Sequence, residues 1–228
     1  MDLIRKEKKK NENNREFVYR VLKENILELH LKPGEGLSET EVAGILNVSR
    51  TPIREAFIKL SQEGLMNIYP QRGSFVSHIE LDLVQEGIFA REIMEREVLK
   101  LACKDFPVDT LEEVKKLYEF QKIIVELSSD PMEFYKLDNS FHKLIFEGCK
   151  KNRIWTLIEQ LNTHYNRLRV IDAIEKISTE TILEHHKTII EIIENRSVEK
   201  VDKIINEHLK NVLPKLEILH KKYPGYFQ

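Results

Sequence analysis

Apolar residues recur at Phe17, Val18, Val21, Leu22, Ile26 and Leu29. Steps of three and four predict an amphipathic helix, and "KPGEG" ends it, since Pro and Gly do not continue a helix well. Ser38 with Glu41 three residues on is a capping box, so a helix is predicted to open at Ser38 and stop near Leu46. Asn47 suits the left-handed turn position that follows. A third helix is predicted with Thr51 as N-cap and Pro52 at its first position. Ala56, Phe57 and Leu60 form its inner face, and Gly64 is its C-terminal stop. Two short runs of strand character, at 65–69 and 74–77, flank "PQRG" and predict a hairpin. Helix, helix, helix, hairpin is the order of a winged helix-turn-helix.

From Leu81 onward the period is helical throughout. Helices are predicted at about 81–104, 110–127, 131–149, 152–172, 179–195 and 197–220, with breaks at "DFPVD", "SSDP", "KKN" and "NRS". Such a run makes an antiparallel six-helix bundle. The chain is therefore predicted to be mainly α. A winged helix-turn-helix domain with a small β-hairpin wing covers 1–78, and an all-helical domain covers 79–228. "SHIELD" is the hinge between them.

Composition changes this picture little. The 228 residues are 41% hydrophobic and 32% charged, as expected of a core-forming helical chain. No apolar run of about 18 residues occurs, so no membrane span is predicted. The basic start, "MDLIRKEKKKNENN", has no apolar core behind it and does not read as a secretory signal. Cys103 and Cys149 show no paired metal spacing, which fits a reducing cytoplasm. Residues 1–78 hold 13 Lys and Arg against 11 Asp and Glu, so any contact with DNA depends on local placement of charge.

That placement is specific. The second helix of a helix-turn-helix enters the major groove with its N-terminal end leading. Arg50 and Arg54 lie there, with the hydroxyls of Ser49 and Thr51. Arginine suits bidentate contact with guanine or phosphate. Arg72 and Gly73 sit at the wing tip, where Gly permits close approach to the sugar-phosphate and Arg reaches the minor groove. A lone arginine at a helix start is commonly only a solvated charge; here the surrounding elements agree. "RKEKKK", at 5–10, reads as a solvated tail or as a DNA-touching arm.

In the helical part, polar residues interrupt apolar stripes. Asp138 and His142 are four apart and share a face. His186 and His208 are equally far from Ser197, in the turn between their helices, so an antiparallel pair brings them level. His186 is preferred to His185, whose neighbours at plus four and plus seven match the core stripe less well. One carboxylate and three imidazoles pointing inward suit a divalent transition metal. A single inward histidine is more often a satisfied core residue, and an Asp-x-x-x-His pair can simply bond to itself.

The stretch "LSETEVAGILNVSRTPIREAFIKLSQEGLMNIYPQRGSFV", above all "VSRTPIREA", resembles the DNA-binding domain of GntR-type bacterial regulators. The resemblance implies that Ser49, Arg50, Thr51, Arg54, Arg72 and Gly73 contact operator DNA. One departure is Thr40, where some members carry arginine. "FAREIMEREVLKLAC", "DNSFHKLIFEGCKKN", "EHHKTIIEIIE" and "INEHL" resemble the FCD-type effector domain of the FadR branch. That resemblance implies zinc, nickel or manganese at Asp138, His142, His186 and His208, and a small carboxylate effector beside the metal. Arg91 matches a frequent arginine of the first effector helix, which either pairs with such an anion or forms a salt bridge. His164 either adds a ligand or lines the pocket, or is a partly exposed helix residue. The resemblance further implies a cytoplasmic homodimer on an inverted-repeat operator, with no role for a membrane. It is expected to be a repressor released when its ligand binds. Two other readings stay open: a purely structural metal, or a metal-dependent enzyme with Glu147 or Glu184 as base. No general base stands out, and the chain is expected not to be an enzyme.

Overall fold

The computed structural model describes residues 1–127 and 130–228; Ser128 and Ser129, within the predicted break "SSDP", lie outside the described residues. The chain divides into two compact units. The first takes in Met1–Val84, Thr163–Arg167 and His220–Gln228, and the second Gln85–Asn162 and Leu168–Leu219.

In the first unit, α1 (Asn14–Leu27) opens on a capping box between Asn13 and Glu16. The two-residue strand β1 (Gly36–Leu37) leads into α2 (Glu39–Leu46), which Ser38 caps by accepting from Glu41 N. Asn47 then takes the left-handed conformation, φ 54° and ψ 50°, as expected of the turn. Helix α3 (Arg50–Gln62) begins earlier than its sequence suggests. Its N-cap is Ser49, in extended conformation, and not Thr51. Thr51 and Pro52 both lie within the first turn, where a missing N–H leaves no helical bond unmade. Gly64 follows with φ +70°, the left-handed region that Gly enters without strain.

β2 (Met66–Tyr69) and β3 (Gly73–Val76) form the antiparallel hairpin. A third strand was not foreseen: β1 pairs with β3, in the order β1-β3-β2. Two residues are too few to show a period of two, so pattern reading cannot detect it. Val18, Val21, Leu22 and Ile26 of α1 are fully buried, as are Ile53 and Leu60 of α3. Each such side chain contributes roughly 1.5–3 kcal/mol when removed from water. The apolar stripe of α3 is thereby anchored while its opposite face stays free. At the end of the chain, Ile79 N donates to Tyr226 O (2.7 Å) and Gln228 N to Ile79 O (3.1 Å).

The rest is helical: α4 (Leu81–Lys104), α5 (Val108–Glu126), α6 (Pro131–Gly148), α7 (Asn152–Leu161), α8 (Thr163–Glu175), α9 (Thr179–Glu194), α10 (Val201–Lys210) and α11 (Leu216–Lys222). That is eight helices among the described residues where six were predicted. The predicted helix at 152–172 is split at Asn162, which leaves the helical region (φ −89°, ψ 27°) while its N–H and its side-chain amide both donate to Ile158 O (2.9 Å each). The predicted helix at 197–220 opens with a 3₁₀ turn at Val198–Lys200 and is interrupted near Pro214, which has no N–H to donate. The core of the second unit includes Phe141, Phe146, Ile189, Val201 and Ile205. Among the described residues, no helix is long and apolar enough to cross a membrane.

Candidate nucleic-acid interface and metal centre

Ser49, Arg50, Thr51 and Arg54 are all exposed, at the N-cap and first turns of α3. They share the outer side of a helix whose Ile53, Ala56, Phe57 and Leu60 are buried. Arg50 Nη2 lies 3.2 Å from Glu39 of α2. An exposed pair of this kind contributes about 0–1 kcal/mol, so a phosphate can displace the carboxylate. Thr40 is exposed on α2. At the wing tip Arg72 and Gly73 are exposed, and Gly73 has φ +111°. The Arg72 guanidinium lies 5.7 Å from the Tyr69 ring. Cationic groups therefore stand at both predicted points of contact with a duplex.

The second unit brings Asp138 and His142 of α6, His186 of α9 and His208 of α10 together. One ligand atom from each lies within 4.8 Å of all the others. Cations with bonds of about 2.0–2.2 Å cover such a span after small side-chain shifts. All four side chains are buried, His186 completely. The nearest pairs are His142 Nε2 to His208 Nε2, 3.0 Å, and His186 Nε2 to Asp138 Oδ1, 3.3 Å.

Neighbouring groups decide which nitrogens face the centre. Glu95 Oε2 lies 3.0 Å from His142 Nδ1, and Gln121 Oε1 lies 2.7 Å from His186 Nδ1. A carboxylate and an amide oxygen only accept, so both Nδ1 atoms carry the proton and both Nε2 atoms present a lone pair inward. His186 Nε2 is buried with no hydrogen-bond partner. Its lone pair faces the oxygen of Asp138, and a cation between them removes the repulsion. The residues therefore fit a divalent metal on their own chemistry.

Charges follow the same plan. Burial opposes the ionised form of Asp138, but Arg169, in contact with its Oδ2, outweighs it and holds its pKa well below the usual carboxylate value. Burial pushes His186 down to about 4 and His208 well below its ordinary value, so both are neutral at pH 7. Glu95 is held at about 2; burial opposes its charge, and Arg91 and His142 outweigh it.

Arg91 is buried and pairs with Glu95 one turn along α4. Sequence reading named Arg91 but missed Glu95, Gln121 and Arg169. Gln121 carried a signal: it falls seven residues after the buried Val114, a polar group on an apolar stripe. Glu95 is four residues from Arg91, the spacing of an ion pair. Arg169 gave no such clue.

His164 is not among the four converging residues. It lies in the first unit, where its Nδ1 accepts from Glu80 N (3.0 Å) and lies 3.2 Å from Arg167 Nη2. Burial, and then Arg167, push its pKa down to about 4. Arg167 is fully buried in the same unit and donates to Ser77 O (2.6 Å), Ser77 Oγ (3.1 Å) and His78 O (3.3 Å).

Comparison with known proteins gives the family and the fold. Residues 14–76 match the bacterial regulatory proteins of the gntR family, and residues 86–211 match the FCD domain. The chain is 30% identical over 210 residues to the HTH-type transcriptional repressor RspR of Escherichia coli, covering 92% of each chain. It is also 30% identical over 214 residues to an HTH-type transcriptional regulator of Streptomyces ambofaciens, covering 94% of this chain and 89% of that one. Among solved structures, E. coli McbR/YncC superposes with a TM-score of 0.73 at 21% identity, covering 92% of this chain and 99% of that one, which shows a shared fold. Both sequence relatives are described as HTH-type transcriptional regulators. The chain belongs to the GntR family of bacterial regulatory proteins, as a DNA-binding transcription regulator with an FCD domain.

Proposed function

We propose that the chain is a homodimeric repressor whose helical unit senses a small carboxylate through a divalent metal. One observation carries this reading: Asp138 and three imidazoles converge in a buried cluster, with His142 and His186 oriented by Glu95 and Gln121. Zinc, nickel or manganese suits this nitrogen and oxygen donor set. A bound cation of this kind supplies Lewis acidity that attracts a carboxylate.

The chain's own residues do the rest. Glu95 and Gln121 hold the lone pairs inward, and Arg169 keeps Asp138 ionised. Arg91 is the guanidinium of the cluster's rim that exchanges Glu95 for an incoming anion. The cavity beside Glu95 and His142 has a volume of about 10 Å³. That is room for a single water-sized group, so a carboxylate reaches the centre only by displacing side chains. Its capture therefore repacks the helical unit, and that repacking is the signal. Ser49, Arg50, Thr51, Arg54, Arg72 and Gly73 make the operator contacts. Two protomers read an inverted repeat with half-sites about one helical turn apart. RspR is named a repressor, which supports the same sign here. Such a protein acts on the chromosome, in the cytoplasm.

Mobility shift on operator DNA tests the reading. Metal-loaded protein is expected to release operator when a small carboxylate is added. Protein stripped by chelator is expected to keep its fold and its operator affinity but lose the response. The burial of all four side chains favours a second reading, a cation that is purely structural; unfolding on chelation would establish it. An unchanged ligand response without metal would refute both.

A narrower prediction concerns Gln121. Gln121→Leu is expected to lower metal affinity about 10- to 100-fold, the range typical of outer-shell partners. Gln121→Glu keeps an acceptor for His186 Nδ1 and is expected to retain affinity. Competition with a chromogenic chelator measures both, and equal affinity in Gln121→Leu and the parent would remove Gln121 from the site.

A further inference from the structure

The segment before α1 lies outside the family match, which begins at residue 14. It is nevertheless fixed to the first unit. Ile4 N donates to Asn25 Oδ1 (2.7 Å), and Asn25 Nδ2 donates back to Ile4 O (3.0 Å). Asn25 is fully buried. Arg20 Nη2 donates to Glu7 O (2.9 Å), and Arg20 Nε pairs with Glu12 (2.7 Å). Lys6 pairs with Glu24 (2.7 Å) and Glu28 (3.4 Å). Met1 and Leu3 pack on the apolar core.

These contacts sort the charges. The acids of this surface, Glu12, Glu24 and Glu28, are held by Arg20 and Lys6. Arg5, Lys8 and Lys10 are exposed, and among the described residues no ion pair engages them. Lys8 Nζ bonds only the neutral Asn14 Oδ1 (2.8 Å). Glu7 is the one acid left facing the same groove.

That groove has a volume of about 500 Å³. Arg5, Lys6 and Lys8 line one side, and Leu46, Asn47 and Val48 the other. Asn47 and Val48 form the turn that runs directly into Ser49 and Arg50. A second link ties the start of α1 to the recognition helix: Arg15 Nε lies 3.6 Å from Glu55 of α3. The cationic arm is thus continuous with the face that α3 presents.

We infer that the arm is a second DNA-backbone surface, in which Arg5 and Lys8 on the groove, and Lys10 exposed just beyond it on the arm, bind phosphates flanking the half-site read by α3. It rests on the reading that α3 enters the major groove. Phosphate contacts of this kind add affinity and salt dependence without sequence information.

The test uses the full chain and an operator duplex, with affinity measured by fluorescence anisotropy across a series of salt concentrations. The triple variant Arg5→Gln, Lys8→Gln, Lys10→Gln is compared with the parent. Affinity is expected to fall about 10- to 100-fold at 0.1 M salt, and the log–log salt slope to flatten by about 2–3, near 0.9 per lost phosphate. Binding to a scrambled duplex falls by the same factor. Trimming the flanking base pairs from the duplex lowers parent affinity and flattens its slope, a measurement that needs no variant to fold. An unchanged slope in the triple variant, or no effect of trimming, overturns the inference if Arg54→Ala still weakens operator binding. If Arg54→Ala has no effect, the placement of α3 fails first, and the arm inference fails with it.

Discussion

Operator binding is expected to fall about 10- to 100-fold when Arg54 is replaced by alanine, the effect of losing one bidentate base or phosphate contact. The side chain is exposed on the outer face of α3, one turn beyond Arg50. Truncation removes no buried surface, so thermal stability should stay within about 0.5 kcal/mol of the parent. Arg54→Lys separates two kinds of contact. A point charge substitutes for a guanidinium at a phosphate but not at a guanine edge. Binding restored by lysine on scrambled and operator duplexes alike indicates a phosphate contact. Loss confined to operator DNA indicates a base. Undiminished operator affinity in Arg54→Ala would remove α3 from the groove altogether.

Metal affinity should fall by at least about 100-fold in His186→Ala, beyond the range typical of an outer-shell partner. His186 is completely buried, its ring stacks on Phe141 with centroids 4.0 Å apart, and its Nε2 faces Asp138. Because a cation held only by the folded state stabilises it, a 100-fold loss of affinity removes about 2.7 kcal/mol of metal-dependent stability. The readout is the rise in Tm on adding zinc, nickel or manganese, measured for parent and variant. Truncation also leaves a cavity beside Phe141, so His186→Gln, closer in volume, is measured in parallel. The metal-dependent increment, and not the apo Tm, isolates the ligand role. An increment equal in parent and both variants would place the cation elsewhere.

Much of this was legible in the chain because the relevant signals are local. Capping at Ser38, the left-handed Asn47 and the stop at Gly64 are set by residues within a turn of one another. Asp138 and His142 share a face because they are four apart, and His186 and His208 meet because their helices run back from one turn. The less legible features depend on competition. Ser49 takes the N-cap position of α3 without a side-chain capping bond, although Thr51 precedes proline; the packing of Ile53 and Phe57 sets the phase of the helix. Asn162 divides a stretch whose apolar period runs on unbroken: its backbone leaves the helical region, at φ −89° and ψ 27°, while its N–H and its side-chain amide both meet Ile158 O. β1 offers two residues and no pattern, and pairing with β3 alone makes it a strand.

The sequence by itself determined the order of elements, the cationic front of α3 and the identity of the inward Asp and His residues. Each follows from periodicity and spacing along one segment. Only the tertiary structure decided which groups surround them. Gln121 and Glu95 reach His186 and His142 from helices 65 and 47 residues away in the chain, Arg169 reaches Asp138 across 31, and the basic arm reaches the turn before α3. Spacing along a helix states which way a side chain points, but what it meets there is settled by packing between distant segments, which no local period encodes.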